Sequence, residues 1–176
     1  MKRNFLLIFS LCVLMMASCE KTAMDDAFAG GELKSAKKAM IFKAHLSGNQ
    51  EVPAVETTAT GEAVFLLNKD GDALTFKLIV ANIDNVRMAH IHLAPAGVNG
   101  GVVVWLYPSA PPFQLIPGTT NGILAEGTIT EANFSGALLG QPFSELVSAM
   151  SAGNAYVNVH TDAYPGGEIR GQISGN

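Results

Sequence analysis

The chain has 176 residues, of which 48% are hydrophobic and 15% charged, and its formal net charge is −4. A chain of this size builds one domain around one core, and an acidic chain is a poor partner for the phosphate backbone of nucleic acids. The composition therefore excludes nucleic-acid binding as a function.

Residues 1–18 have the features of an export signal. Lys2 and Arg3 precede an apolar run, and at about a dozen residues this run is shorter than the roughly 20 that span a bilayer as a helix. Two small residues then precede Cys19. The closing letters "MASC" resemble a bacterial lipobox, which implies cleavage before a lipidated Cys19. An ordinary secretory cleavage after Ser18 is the alternative.

Cleavage at this point leaves nine basic and fifteen acidic side chains, a net charge of −6, and no thiol besides Cys19. No disulfide framework is therefore expected. Residues 19–39 mix charges of both signs with Ala and Gly, and we interpret them as a lipid-anchored flexible tether. A short helix in their second half is the alternative. We expect the protein in the bacterial cell envelope, anchored to the membrane, at the outer membrane or the cell surface.

Residues 40–176 form the remaining domain, and their turn signals are typical of an all-β chain. Asp70-Gly71 and Asn99-Gly100 stand before apolar, β-branched runs and predict hairpins, while "YPGGE" predicts a type II turn with Gly166 in the left-handed position. We predict an antiparallel, Greek-key-like β-sandwich of about eight strands. The strands are expected near residues 41–47, 61–68, 73–82, 87–93, 102–107, 122–130, 155–161 and 168–174.

One short helix interrupts the strands. In "QPFSELVSAMSAG" the apolar residues follow i, i+3, i+4, i+7 from Phe143, Pro142 suits the first turn, and Gly153 suits the end. We expect its apolar face to cover an open end or edge of the sandwich. Without cross-links the fold depends on buried apolar side chains, predicted to include Val64, Leu66, Leu78, Val80, Val103, Trp105 and Val157.

Three separated segments carry a family resemblance: "AHLSGNQEVPAV" with "TGEAVFLL", then "MAHIHLAPAGVNGGVVVWL", then "NAYVNVHTDAYPGGEIRGQI". Together they resemble the CHRD domain, the module named after the developmental regulator chordin. The resemblance covers residues 41–174 and keeps the three motifs in the family's order. It implies an extracytoplasmic binding or scaffolding module whose partner is a protein or another ligand, and no enzymatic activity is established for the family.

Two of the four histidines stand one residue apart in "VRMAHIHL". Side chains alternate along a strand, so His90 and His92 share one face, and His160 shares a face with Asn158 on the strand "AYVNVHT". If these strands are neighbours, three imidazoles converge on a site suited to one copper or zinc ion. The alternative is that the histidines are structural and hydrogen-bonded to their neighbours.

Charged residues lie close to these histidines in the sequence. Asp162 or Glu168 is a candidate to supply an oxygen ligand or to orient an imidazole ring. Glu168 and Arg170 share one face of a strand and are predicted to hold the loop that contains Glu51, or to pair with each other. We assign structural roles to Glu51, Asn158 and Arg170.

Motifs typical of enzymes are mostly absent. The sequence has no G-x-S-x-G nucleophile elbow and no phosphate-binding glycine loop. A His-x-His strand in a β-sandwich is similar to the copper ligands of copper-zinc superoxide dismutase, but four histidines are too few for that two-metal site. We assign no catalytic residue. The hypothesis is a lipoprotein binding module with a metal site at His90, His92 and His160, and the alternative is a mononuclear copper redox enzyme.

Overall fold

The computed structural model describes residues 40–175. The predicted signal peptide at residues 1–18, the lipidation at Cys19 and the tether at residues 19–39 lie outside this range and stay predictions. Within residues 40–175, no helix has the length and apolar character needed to cross a bilayer.

Eight strands form one antiparallel sheet, which confirms the all-β prediction. The strands are β1 (Ile41–Ser47), β2 (Thr60–Leu67), β3 (Leu74–Leu93), β4 (Gly101–Tyr107), β5 (Ile116–Ile129), β6 (Ala155–Thr161), β7 (Ile169–Gln172) and β8 (Ser174–Gly175). Their order is β2-β1-β7-β6-β3-β4, β5 pairs with β3, and β8 pairs with β1. A further pairing of β2 with β3 closes the sheet into a small barrel-like arrangement, which is consistent with an all-β sandwich.

The long strand β3 determines how the sheet closes. Its first half pairs with β2 and its second half with β6 and β4. The sequence predicts two strands here, 73–82 and 87–93, but the structure has one. Asn82 and Asn85 have positive φ angles of 54° and 50°, and asparagine tolerates this conformation better than most residues. The chain therefore bends and shifts register without leaving the sheet.

Two of the predicted turns contain left-handed residues. At the β2–β3 hairpin Gly71 has a φ of 82°, and Asn68 Oδ1 accepts hydrogen bonds from the backbone N–H groups of Gly71 and Asp72. This confirms the hairpin predicted at Asp70-Gly71. In "YPGGE" the left-handed residue is Gly167, with a φ of 128°, so the prediction for Gly166 is wrong by one position.

The helix α1 (Phe143–Ser151) begins and ends close to its predicted limits. Pro142 precedes it, and Gly153, with a φ of 70°, follows it. Its buried side chains are Phe143, Leu146 and Met150. This apolar face packs against β6 and β8.

The remaining differences are in strand length and in which face of a strand is buried. β5 begins at Ile116, ahead of the predicted 122–130, and the predicted 168–174 is divided into β7 and β8. Leu78, Val80, Val103 and Val157 are buried as predicted. On β2, however, Ala63 and Phe65 face the core and Leu66 is 44% exposed, because successive side chains of a strand face opposite sides. Val64 and Trp105 are half-buried rather than fully buried.

Candidate metal centre

Three histidines from two neighbouring strands lie side by side in the interior. In the pairing of β3 with β6, His90 lies opposite Asn158, His92 opposite Tyr156, and His160 opposite Met88. The alternation of a strand then places all three rings on one face. Their side chains are buried, and one ring nitrogen from each lies within 4.8 Å of the others. The structure thus brings together the three histidines that the sequence singled out.

Backbone carbonyl groups fix two of the three rings. His92 Nδ1 lies 3.0 Å from the Gly100 carbonyl oxygen, and His160 Nδ1 lies 2.9 Å from the Pro165 carbonyl oxygen. A carbonyl oxygen accepts hydrogen bonds and cannot donate, so each Nδ1 carries the proton. In a neutral ring this assignment leaves the lone pair on Nε2. Metal-binding histidines in proteins are usually held by such a hydrogen bond from the other ring nitrogen.

The third histidine connects the cluster. His90 Nδ1 lies 3.2 Å from His160 Nε2. The other nitrogen of His90 and the Nε2 atom of His92 are buried, and neither has a hydrogen-bond partner among residues 40–175. Leaving a buried polar atom without a partner costs about 1–3 kcal/mol. The cluster therefore has two buried ring nitrogens available to a ligand, with the Asn158 side chain beside the one on His92.

Burial keeps the three imidazoles neutral. Burial, together with the neighbouring His160 and His92, lowers the pKa of His90 to about 3. Burial likewise lowers the pKa of His160 to about 4, although its hydrogen bond to Pro165 acts in the opposite direction. The pKa of His92 is also lowered, again mainly by burial. Neutral imidazoles are the form that binds metal ions, so the rings need not lose a proton first.

Aromatic side chains form the walls of the cluster. The Trp105 ring lies edge-on to His90, with ring centres 4.3 Å apart, and Tyr156 stacks on His92 at 4.8 Å with an angle of 9° between the rings. The guanidinium carbon of Arg170 lies 3.5 Å above the centre of the Tyr156 ring. These contacts restrict the rotation of His90 and His92.

The spacing of the nitrogens suits a small transition-metal ion. Two nitrogen ligands at 2.0–2.1 Å from a tetrahedral ion are about 3.3 Å apart. The 3.2 Å between His90 Nδ1 and His160 Nε2 is close to this value, but a hydrogen bond joins these two atoms in the free protein, so an ion bound between the rings would have to replace it. Nitrogens bound to one ion cannot be more than about 4.2 Å apart, so small ring rotations must close the widest spacing in the cluster. Three imidazoles leave the fourth position of such an ion open.

The two predicted oxygen donors lie elsewhere. Both oxygens of the Glu168 carboxylate are taken by hydroxyl groups, of Thr57 at 2.6 Å and of Thr161 at 2.7 Å. Asp162 pairs with Arg87 at 3.4 Å. Neither carboxylate belongs to the group of atoms that fits a metal ion, which among residues 40–175 consists of the three histidines.

Arg170 has a different role from either predicted pairing. It is 1% exposed, and no carboxylate lies within ion-pair distance of it in the part of the chain that the structure describes. Its NH2 group donates to the carbonyl oxygens of Pro95 and Val98, and its NH1 group donates to Asn99. Arg170 therefore holds the loop between β3 and β4, which contains the Gly100 carbonyl that orients His92.

The sequence interpretation missed the residues that orient the rings. Gly100 and Pro165 act through backbone carbonyl groups, which no side-chain pattern shows. Tyr156 and Trp105 are different, because each lies directly opposite a histidine in a strand pairing, Tyr156 opposite His92 and Trp105 opposite His90. Knowledge of the register between β3 and its neighbours is what would have identified them.

Of the comparisons with known proteins, one identifies a family. Searches among curated proteins and among solved structures found no significant match. A family model does match, and it spans residues 42–173, which include every strand of the sheet except the first residue of β1 and the short β8. The chain therefore belongs to the CHRD domain family.

Proposed function

We propose that this CHRD domain is an extracytoplasmic binding module that takes up one divalent transition-metal ion through His90, His92 and His160. The observation that carries the proposal is the hydrogen bonding of the three imidazole rings. His92 and His160 each donate their Nδ1 proton to a backbone carbonyl, and buried, unpartnered lone pairs remain on His90 and His92. A purely structural cluster would have these lone pairs satisfied.

The choice of ion follows from the ligands. Imidazole nitrogen suits zinc and copper, whereas calcium and magnesium prefer oxygen ligands, which the cluster lacks. We further propose that the domain acts at the cell envelope, anchored through a lipidated Cys19 and held away from the membrane by residues 19–39. The export signal and the lipobox-like sequence support this location.

Binding is favoured over redox catalysis by the burial of the site. His90, His92 and His160 are 2%, 7% and 6% exposed, and Trp105 and Tyr156 cover two of the rings. A redox enzyme requires that its substrate reach the ion, and these rings leave little surface for that contact. A copper redox enzyme is the alternative function. A turnover assay on the copper-loaded protein distinguishes it from a binding module.

Metal uptake can be followed by the fluorescence of the protein's own tryptophan. The chain has a single tryptophan, and Trp105 contacts His90. Tag-free protein, stripped with a chelator, is titrated with Cu²⁺ and with Zn²⁺ while heat and tryptophan fluorescence are followed. We expect one equivalent to bind and Cu²⁺ to quench Trp105.

Two histidine variants separate a specific site from general imidazole binding. His92→Ala removes one ligand and should abolish uptake while the β-rich circular dichroism is kept. His45→Ala is the matched control, because His45 also lies on a strand but is 76% exposed and pairs with Glu62. Absence of heat and quenching in the parent protein, or equal losses in the two variants, would leave the cluster as structure alone.

A further inference from the structure

A second buried polar group lies outside the histidine cluster. Glu51 follows the short 3₁₀ turn Gly48–Gln50 and is 7% exposed. Its Oε1 atom is fully buried and has no hydrogen-bond partner among the described residues. No lysine or arginine in that part of the chain lies within 4.0 Å of the carboxylate. The Val52 backbone and the Asn158 side chain hydrogen-bond to the carboxyl group and lower its pKa, but neither carries a positive charge. A buried carboxylate without an ion-pair partner is costly to keep.

The backbone opposite Glu51 is shaped to leave room for the carboxylate. Gly167 has a φ of 128°, and a Cβ atom there would lie 2.4 Å from Glu51 Oε1 and 2.8 Å from Asn158 Nδ2. Any side chain at position 167 would displace both groups. Burial raises the pKa of Glu51 to about 7, even though the charge of Arg170 lowers it. Arg170 thus acts on the carboxylate from beyond ion-pair distance.

A cleft opens beside this carboxylate. It has a volume of about 270 Å³, and Glu51 is the sole charged residue in its lining. The other side chains there are apolar, apart from Tyr164. They come from two loops and include Val52, Pro53, Val55, Ala163 and Pro165. The volume lies below the roughly 300–1,000 Å³ of pockets for drug-sized ligands, so the cleft accommodates one side chain or a small molecule.

We propose that this cleft binds a primary ammonium group carried on a short hydrocarbon stem, either a small free amine or a lysine side chain of another protein. The ammonium would supply an ion-pair partner for Glu51 and a hydrogen-bond donor for its Oε1 atom, and the stem would contact the apolar walls. The acidic charge of the whole chain attracts such a cation. A divalent metal ion is disfavoured, because Glu51 is the lone carboxylate in this lining.

A second cleft that also contains Glu51 does not suit this ligand. Its volume is about 210 Å³, and its lining includes Arg170, Gln172, Asn49 and Gln50. The guanidinium group of Arg170 would repel an ammonium ion there. The ligand is therefore assigned to the side of Glu51 that faces Gly167 and Tyr164.

The test uses amide resonances that report on the cleft. Isotope-labelled protein is titrated with n-butylammonium chloride, and separately with n-butanol, which has the same stem without the charge. We expect saturable shifts of the Gly166, Gly167 and Val52 amides with the amine and much smaller shifts with the alcohol. A third titration with Nα-acetyl-lysine methylamide distinguishes the two sources, since a site for a protein lysine should bind it more tightly than butylammonium.

Three variants decide between the cleft and non-specific attraction. Glu51→Gln keeps the shape of the side chain and should weaken amine binding at least about tenfold. Ala163→Leu fills the cleft from an exposed position and should also block binding, without touching the buried carboxylate. Glu56→Gln, at an exposed acidic residue of the same loop, is the matched control and should bind the amine as the parent does.

Each other outcome contradicts the proposal. These outcomes are non-saturable shifts, equal shifts with butanol, or undiminished binding in Glu51→Gln or Ala163→Leu. Pro165 lines the cleft and also accepts the hydrogen bond from His160, so the titration is repeated on His92→Ala. Amine binding that persists in this variant while metal uptake is lost shows that the two sites are separate.

Discussion

Glu51→Gln should stabilise the folded protein at pH 8, and the gain follows from the pKa of the carboxyl group. Burial raises this pKa from 4.5 to about 7 in the folded state. At about 1.36 kcal/mol for each pKa unit, the penalty for the ionised form reaches about 3.4 kcal/mol. Water in the adjoining clefts screens part of this charge, so we expect a gain of about 2 kcal/mol.

The stabilisation expected from Glu51→Gln should increase with pH. Between pH 4.5 and 7 the unfolded chain loses this proton while the folded protein keeps it, so the stability contributed by the protonated carboxyl is lost as the pH rises through about 7. Glutamine has no proton to lose. The difference in unfolding free energy between Glu51→Gln and the parent should therefore be largest at pH 8 and should mostly vanish at pH 5.

Urea denaturation followed by tryptophan fluorescence measures this difference at both pH values. Glu56→Gln, an exposed position in the same loop, controls for the general loss of a negative charge and should change little at either pH. An equal effect of Glu51→Gln at pH 5 and pH 8 would refute the reasoning, because it would show that the carboxyl group is not held protonated by burial.

Three further predictions concern the anchor, the core and the histidine cluster. Cys19→Ser should move the protein from the membrane fraction to the soluble fraction, as immunoblotting would show; unchanged fractionation would contradict lipidation. Ile91→Ala removes a fully buried side chain beneath the cluster and should lower the unfolding free energy by about 2–5 kcal/mol in urea, so a loss below 1 kcal/mol would be inconsistent with the core described here. Tyr156→Leu should weaken metal binding more than Tyr156→Phe, measured by calorimetry, because phenylalanine keeps the ring that stacks on His92; equal affinities would exclude a role for stacking.

The sequence predicted several features that short-range rules determine, although it placed the left-handed glycine of "YPGGE" one position too early. The Asp70-Gly71 hairpin follows from the local need for a positive φ, and Gly71 has one. The limits of α1 follow from the spacing of Phe143, Leu146 and Met150 and from the flanking Pro142 and Gly153. The shared face of His90 and His92 follows from strand alternation alone.

Features that depend on pairing between distant strands could not be predicted from the sequence. The continuity of β3 through Asn82 and Asn85 depends on its pairing with β5, where the register shifts several times. Leu66 is exposed because the pairing of β2 with β1 and β3 turns the other face of β2 toward the core. The sequence could not show this, since either face of "TGEAVFLL" offers apolar residues. Alternation predicts that faces differ, but tertiary pairing decides which face is buried.

The candidate site also combines features that the sequence predicts with features that depend on tertiary contacts. Strand alternation indicated which histidines share a face, and the pairing of β3 with β6 meets the condition under which the three rings come together. The position of Arg170 could not be inferred, since its partners are the backbone carbonyls of Pro95 and Val98 and the ring of Tyr156. The sequence predicted that Arg170 holds the loop that contains Glu51 or pairs with Glu168, whereas its guanidinium group holds the loop between β3 and β4 and the ring of Tyr156.

The unpartnered polar atoms of the interior connect the two proposals. Four of them, Glu51 Oε1, His90 Nε2, His92 Nε2 and Asn158 Oδ1, lie on or beside the face formed by β3 and β6. At about 1–3 kcal/mol for each unsatisfied atom, they cost the free protein a large part of the roughly 5–15 kcal/mol that a domain has. A metal ion would engage the two histidine nitrogens and an ammonium would engage Glu51, while Asn158 lies between the two sites. Because a ligand that binds only the folded state stabilises it, metal and amine together should raise the melting temperature more than either does alone.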